Sequence, residues 1–236
     1  MIQKKPCKAQ NKAKNYDGCG TITDVKRRKF GLCPTCYYNW MNETEEGKKH
    51  KEKQFLPKVQ AKVRNIKKAK TLQKKIDIMS PDKYRKKYLQ PVINEIARLI
   101  DFGCSCIATN NYGKMNGGHY RSVGSNRTIA LNLHNIHIQS FESNVYKSGD
   151  DKNYKDGLID RYGKDYYNFV DQLRQHPVIK LSTKEMQRIY NIALSIRKEL
   201  KNNLNELNAN ERILLRNQVN LELGIYNKEY SIYNKY

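Results

Sequence analysis

The chain has 236 residues, 38% of them hydrophobic and 29% charged, with a mean hydropathy of −0.87. That suits one domain with appendages or two small ones, and it does not suit a large single core. Forty-five Lys and Arg against 23 Asp and Glu leave a net charge of +22, which points to a polyanionic partner, nucleic acid first. No apolar run approaches the roughly 18 residues of a membrane span, and no apolar stretch follows the basic residues of the N-terminus, so neither an integral membrane protein nor a secretory signal is expected.

Residues 1–46 are short, turn-rich and punctuated by Gly and Cys. Without an export signal, the six cysteines read as metal ligands or buried thiols, not disulfides. Cys33-Pro-Thr-Cys36 is a two-residue-spaced pair, and Cys19-Gly20 resembles half of a zinc knuckle. With Cys7 they make four thiolates, the number a tetrahedral zinc ion takes, in a segment with too few apolar residues to fold without a staple. The other reading is four unlinked thiols in a flexible arm, since Cys7 lies 12 residues before Cys19. Tyr37, Tyr38 and Trp40 are expected to pack on this zinc-ribbon-like module, the alternative being to stack on a base.

Residues 47–90 form a basic helical segment. Residues 48–87 hold 16 basic and 3 acidic side chains, a net +13. A solvated face is the alternative, but one sign of charge repels itself unless an anion is near. Lys67, Lys68, Lys74 and Lys75 are therefore candidate DNA contacts. Val59, Val63, Ile66, Leu72 and Ile76 follow helical spacing. Ser80-Pro81 starts the next helix, on which Tyr84, Tyr88, Val92, Ile96 and Leu99 or Ile100 mark an apolar stripe that Pro91 breaks or kinks. Asp101-Phe102-Gly103 ends it.

Residues 104–150 are rich in Gly, Asn and Ser, with period-two alternation at Ile129, Leu131 and Leu133 that predicts a strand. A short helix is expected from about Ser140 to Ser148. Further helices follow around Leu158 and Phe169 and from Ser182, whose capping box with Glu185 opens a helix to about Asn203. Residues 201–236 read as an appended amphipathic helix with a Tyr-rich tail.

The central constellation is Gly117-Gly118-His119-Tyr120, then Arg121 and Arg127, then Asn135-Ile-His137-Ile-Gln139 and Asn144. Strand, tight turn, strand and short helix, with His first and Asn last, is the layout of ββα-metal (HNH, His-Me finger) nucleases. In that chemistry His119 takes a proton from the attacking water while one divalent metal neutralises the leaving oxygen. If 135–139 is extended, Asn135 and His137 share a face. His137 would then lie near the metal, and Asn135 would orient His119 or bind the metal itself.

Residues 91–200 resemble the phage NinG (Rap) recombination family, an endonuclease VII-like, HNH-related group. The resemblance rests on Gly118-His119-Tyr120 with Ser122 and Gly124, on Asn135, His137, Gln139 and Asn144, on Ser148-Gly149, and on Gly157-Leu-Ile-Asp-Arg-Tyr-Gly163. It implies an α+β fold with a helix-flanked ββα-metal core. The implied activity is that of a DNA endonuclease of the Holliday junction resolvase type, working in the cytoplasm of a bacterial host. Its residues would be His119 as general base, Mg²⁺ or Mn²⁺ on Asn144 and His137, and Arg121, Arg127 and Lys147 on phosphates. Cutting a four-way junction symmetrically takes two active sites, so a homodimer is expected. The competing expectation is a non-catalytic DNA-binding recombination mediator. Two departures from the family pattern stand out. Asn116-Gly117-Gly118 replaces an acid before the His, and Cys106-Ile-Ala-Thr109 with Ser140-Phe-Glu-Ser143 replaces two zinc-binding Cys pairs.

Overall fold

The computed structural model describes residues 3–145 and 150–234. The chain divides into two compact units, 1–75 and 76–236.

In the first unit, strand β1 (Lys4–Pro6) pairs antiparallel with β2 (Ile22–Asp24), Lys4 opposite Asp24 and Pro6 opposite Ile22. Helix α1 (Pro34–Glu43) begins with Pro34 at its first turn and with Cys33 as N-cap, its sulfur accepting from the Cys36 N–H. Thr44 caps α2 (Glu45–Gln54), accepting from Gly47, with Glu45 and Glu46 in the first turn and Lys51 and Lys53 in the last, as the helix dipole favours. Leu32 and Trp40 are buried among Cys7, Ala13, Cys33 and Cys36, so Trp40 packs as expected, with Tyr37 beside it. Tyr38 is instead exposed. Helix α3 (Leu56–Asp77) buries no residue; Val59, Val63, Ile66 and Leu72 are all 45% exposed or more.

The second unit starts with α4 (Pro81–Tyr84), a π-turn over Arg85–Leu89 and α5 (Gln90–Ile100). Pro91 does not break this run. The Gln90 N–H bonds the Arg85 carbonyl five residues back, and the widened turn accommodates the missing proline donor. Strand β3 (Met115–His119) pairs antiparallel with β4 (Ile136–Ser140), Gly118 opposite His137 and His119 opposite Ile136. Helix α6 (Phe141–Val145) follows directly, so strand, strand and helix come in the expected order. The remainder is α7 (Asp151–Tyr162), α8 (Lys164–Gln172), α9 (Thr183–Asn202), α10 (Ala209–Leu223) and α11 (Lys228–Ser231). The Ser182–Glu185 capping box on α9 is formed in both directions.

Residues of α5, α9 and α10 pack with Leu131, Leu133 and Ile136 in one core, while α7 and α8 pack with Ile107, Tyr120 and Ile129 in another. Gly117 and Gly118 allow this close packing. A side chain at either would run into the Asn94 backbone or the Gln139 side chain.

Two expectations need correction. Ile129, Leu131 and Leu133 are buried, but in consecutive turns and a 3₁₀ turn instead of a strand. Their alternation reflects burial from two sides, which a folded loop satisfies as well as a strand does. The segment 201–236 is not an appendage, because Arg216, Asn220 and Leu223 of α10 are almost fully buried.

Candidate active site and metal centre

The β1–β2 pair closes the 12-residue gap before Cys19. It sets Cys7, just after β1, next to the turn that carries Cys19, and the Cys7 N–H bonds the Thr21 carbonyl at 2.9 Å. Gly18 lies against the Cys7 carbonyl, where a Cβ would collide with it. The four ligand sulfurs of Cys7, Cys19, Cys33 and Cys36 lie within 4.8 Å of one another. Cys19 and Cys33 sulfurs are 3.8 Å apart, close to the edge of a tetrahedron with Zn–S bonds of about 2.3 Å. Backbone donors already serve the cluster, Cys33 N–H to the Cys7 sulfur at 3.1 Å and Cys36 N–H to the Cys33 sulfur at 3.5 Å. Thr21 hydrogen bonds pull the Cys19 thiol down to about 6, while burial pushes Cys36 up to about 12. Four converging sulfurs, partly supplied with N–H donors, can hold a structural zinc ion. Among the described residues no second group of His, Cys, Asp and Glu side chains converges in this way.

In the second unit, His119 ends β3, half-buried. Its Nε2 lies 2.9 Å from the Ala130 carbonyl oxygen. A carbonyl only accepts, so Nε2 carries the proton and Nδ1 keeps the lone pair. No described residue hydrogen-bonds Nδ1. Burial, and then the charge of Arg85, pull His119 below the ordinary histidine range, against the Ala130 bond, so the ring is neutral at pH 7. A neutral imidazole with one nitrogen tied to the backbone and the other free is arranged as a proton acceptor.

Sequence reasoning missed the group that holds this arrangement. The Gln90 amide nitrogen donates to the same Ala130 carbonyl at 2.8 Å and to Asn94 Oδ1 at 2.9 Å, 3.2 Å from His119 Nε2. Arg85 Nη1 donates to Gln90 Oε1 at 3.1 Å, and Arg85 Nη2 to Asp82 at 3.1 Å. The π-turn places Arg85 and Gln90 for these contacts. Pro91 inside a helical pattern was its one visible trace in the sequence.

The other expected residues are placed differently. His137 is fully buried, Nδ1 at 3.1 Å from the Tyr154 hydroxyl and Nε2 at 3.4 Å from that of Tyr166. Because His119 pairs with Ile136 across the hairpin, His137 points from the opposite face. It cannot share a metal with a group beside His119, and it is a core residue. Asn135 is buried too. It accepts from the Arg121 N–H at 2.8 Å and donates to the Arg121 carbonyl at 3.0 Å. It therefore fixes the chain two residues beyond His119, with no hydrogen bond to the imidazole. Asn144 is half-buried on α6, and its side chain makes no hydrogen bond to another described residue. Of the two expected metal ligands, Asn144 alone keeps its side chain uncommitted among the described residues.

Arg121 pairs with Asp171 and lies over the Tyr120 ring, which engages its guanidinium within the fold. Arg127 is two-thirds exposed, 3.5 Å from Asp82. Lys67, Lys68, Lys74 and Lys75 are exposed on α3. Lys147 and Ser148-Gly149 lie outside the described residues. Where the family resemblance implied a second zinc, the Ser140 N–H donates to the Cys106 sulfur at 3.1 Å and the Ser143 N–H to Ser140 Oγ at 3.2 Å. The first of these bonds joins the two segments and the second stays within 140–143; together they lack a set of four thiolates.

The model of one protein family, described as Bacteriophage Lambda NinG protein, matches residues 6–204. No curated protein and no solved structure matches the chain.

Proposed function

The chain belongs to the phage lambda NinG family, a phage recombination-associated family, and on that footing we propose that it is an endonuclease that hydrolyses phosphodiesters in branched DNA, as a Holliday junction resolvase does. The reading is carried by His119. The Ala130 carbonyl holds the proton on Nε2, and Nδ1 is left to take a proton from the water that attacks phosphorus. Gln90 fixes the carbonyl, Asn135 the chain after the base, and Arg127 and the lysines of α3 offer charge to phosphates. A bound Mg²⁺ or Mn²⁺ would neutralise the leaving oxygen. Asn144, with waters and DNA phosphate oxygens completing the shell, would be its ligand, and His137, buried in the core, would not. Two copies acting together would supply the two cuts of a four-way junction.

The second reading, a DNA-binding recombination mediator without chemistry, is favoured by the burial of His137, which takes one expected ligand away from the face of His119. Incubation of the full chain with labelled four-way, Y-shaped and linear DNA, with Mg²⁺, Mn²⁺ or EDTA, separates the two. The nuclease cuts the branched substrates with metal, and His119→Ala loses about 10²–10⁴ in rate while its junction affinity holds. Junction binding without cleavage under every metal establishes the mediator.

A further inference from the structure

A cleft of about 370 Å³ opens between α4, the Arg127–Leu131 segment and residues 178–181. Its walls are apolar, with Leu131 and Met186 buried, and Val178 stands at the surface 77% exposed. Its charged groups are mostly cationic. Arg85, Arg127 and Lys180 line it against the single carboxylate of Asp82. Asp82 is already shared, with Arg85 and Lys86 at 3.1 Å and Arg127 at 3.5 Å. Three cations on one carboxylate leave the site short of negative charge, and the Arg127 side chain is 67% exposed.

The cleft is also continuous with the His119 site. Residues 127–131 wall the cleft through Arg127, Thr128 and Leu131, and the same segment bonds His119 through the Ala130 carbonyl. Arg85 lines the cleft and bonds Gln90, which holds that carbonyl. Tyr226 pins the segment at both ends, its hydroxyl donating to the Thr128 carbonyl at 2.9 Å and accepting from the Leu131 N–H at 3.2 Å.

An occupant that is flat and apolar over most of its surface and carries a negative charge at its edge fits these groups. We propose that the cleft is a subsite for one unpaired nucleotide of branched or bulged DNA, its base among Leu131, Val178 and Met186 and its phosphate on Arg127 and Lys180. The proposal rests on the reading of this chain as acting on DNA. Seated there, the nucleotide brings its strand along the segment that holds His119, so unpaired DNA is selected beside the group that activates water. Covering roughly 60 Å² of base surface at about 25 cal/mol per Å² gives about 1.5 kcal/mol, roughly tenfold in affinity.

The test is a binding experiment on the full chain in EDTA. A duplex with one bulged 2-aminopurine is compared with the same duplex in which 2-aminopurine is paired. The bulged duplex should bind about tenfold tighter, with a change in 2-aminopurine fluorescence that the paired duplex lacks. Val178→Asp and Lys180→Glu, both at exposed positions, should remove that preference and leave the paired-duplex affinity within about twofold to threefold, because α3 lies elsewhere in the chain. Equal affinity for the two duplexes, or a preference unchanged in both variants, overturns the proposal. So does Val178-dependent binding of an acidic, leucine-containing peptide with no preference for the bulge, which makes the cleft a protein-docking groove. A bulge preference without cleavage under any metal sinks the nuclease reading alone. Cleavage that depends on His119 without a bulge preference sinks the subsite alone.

Discussion

Arg216 donates from Nη2 to Asp101 Oδ2 at 2.8 Å, with both side chains fully buried. The same carboxylate oxygen accepts the Ile138 N–H at 2.9 Å, and Tyr162 donates to Oδ1 at 3.1 Å. Arg216 also donates from Nε to the Leu133 carbonyl at 3.1 Å. One ion pair thus ties α10, the end of α5, strand β4 and α7 together. Breaking a buried pair costs far more than removing both partners, because the remaining charge is stranded away from water.

Asp101→Asn or Arg216→Met should therefore destabilise the chain by about 3–5 kcal/mol, and the double variant Asp101→Asn/Arg216→Met by clearly less than the sum of its parts. Urea unfolding of the three proteins measures this. Additive losses would show that the pair is not coupled.

Stability should fall below pH 6.5. Burial, and then the charge of Arg216, pull His134 down to about 3 and His137 well below its ordinary value, so both are neutral in the fold. Below 6.5 the unfolded chain takes up protons that the folded chain refuses, so stability is full above 6.5 and declines as pH drops. The slope reaches about 1.4 kcal/mol per pH unit for each histidine. Denaturation midpoints at pH 7.5, 6 and 5 give this slope, which His134→Gln should reduce. A flat profile from 6.5 to 5 refutes the neutral, buried assignment.

Elemental analysis of dialysed full-length protein should find one tightly held zinc per chain. Cys33→Ser/Cys36→Ser should lose it, and Cys104→Ser/Cys106→Ser should keep it. Two zinc ions, or one that survives the first double variant, would place a metal in the second unit.

Replacing Lys67, Lys68, Lys74 and Lys75 with Gln should weaken binding to duplex, Y-shaped and four-way DNA alike. On duplex DNA the logarithmic salt slope should flatten by about 0.9 for each phosphate that a lysine no longer neutralises. Fluorescence anisotropy between about 50 and 200 mM salt, the range over which such charge neutralisation shows, measures it. An unchanged slope would make α3 a solvated helix.

Cleavage should keep its rate as pH falls through 6.5 and decline only below it, since His119 is held neutral beneath the ordinary range. Gln90→Ala should lower the rate by up to about 10² without changing junction affinity, because the imidazole loses its fixed partner. A normal acid limb at 6.5 would place the active histidine in ordinary solvent.

The amino-acid order alone determined whatever is local or compositional. Charge pointed to a polyanionic partner, Ser182 with Glu185 fixed a helix start, and Cys33-Pro-Thr-Cys36 with Cys19-Gly20 marked a thiolate cluster. These depend on neighbours within a few residues or on totals, so a linear reading reaches them. His119 was legible as a candidate for the same reason, lying between a glycine pair and a turn. Its Nε2 partner was not, because Ala130 acts through a carbonyl that every residue possesses. The fate of His137 was decided by strand register. One residue's shift separates a shared site from opposite faces, and only the pairing of His119 with Ile136 shows which holds. Nothing in the local pattern of residues 201–236 marks Arg216 for burial 2.8 Å from Asp101, 115 positions away. A buried ion pair forms only where tertiary packing excludes water from both partners, and no local pattern announces that.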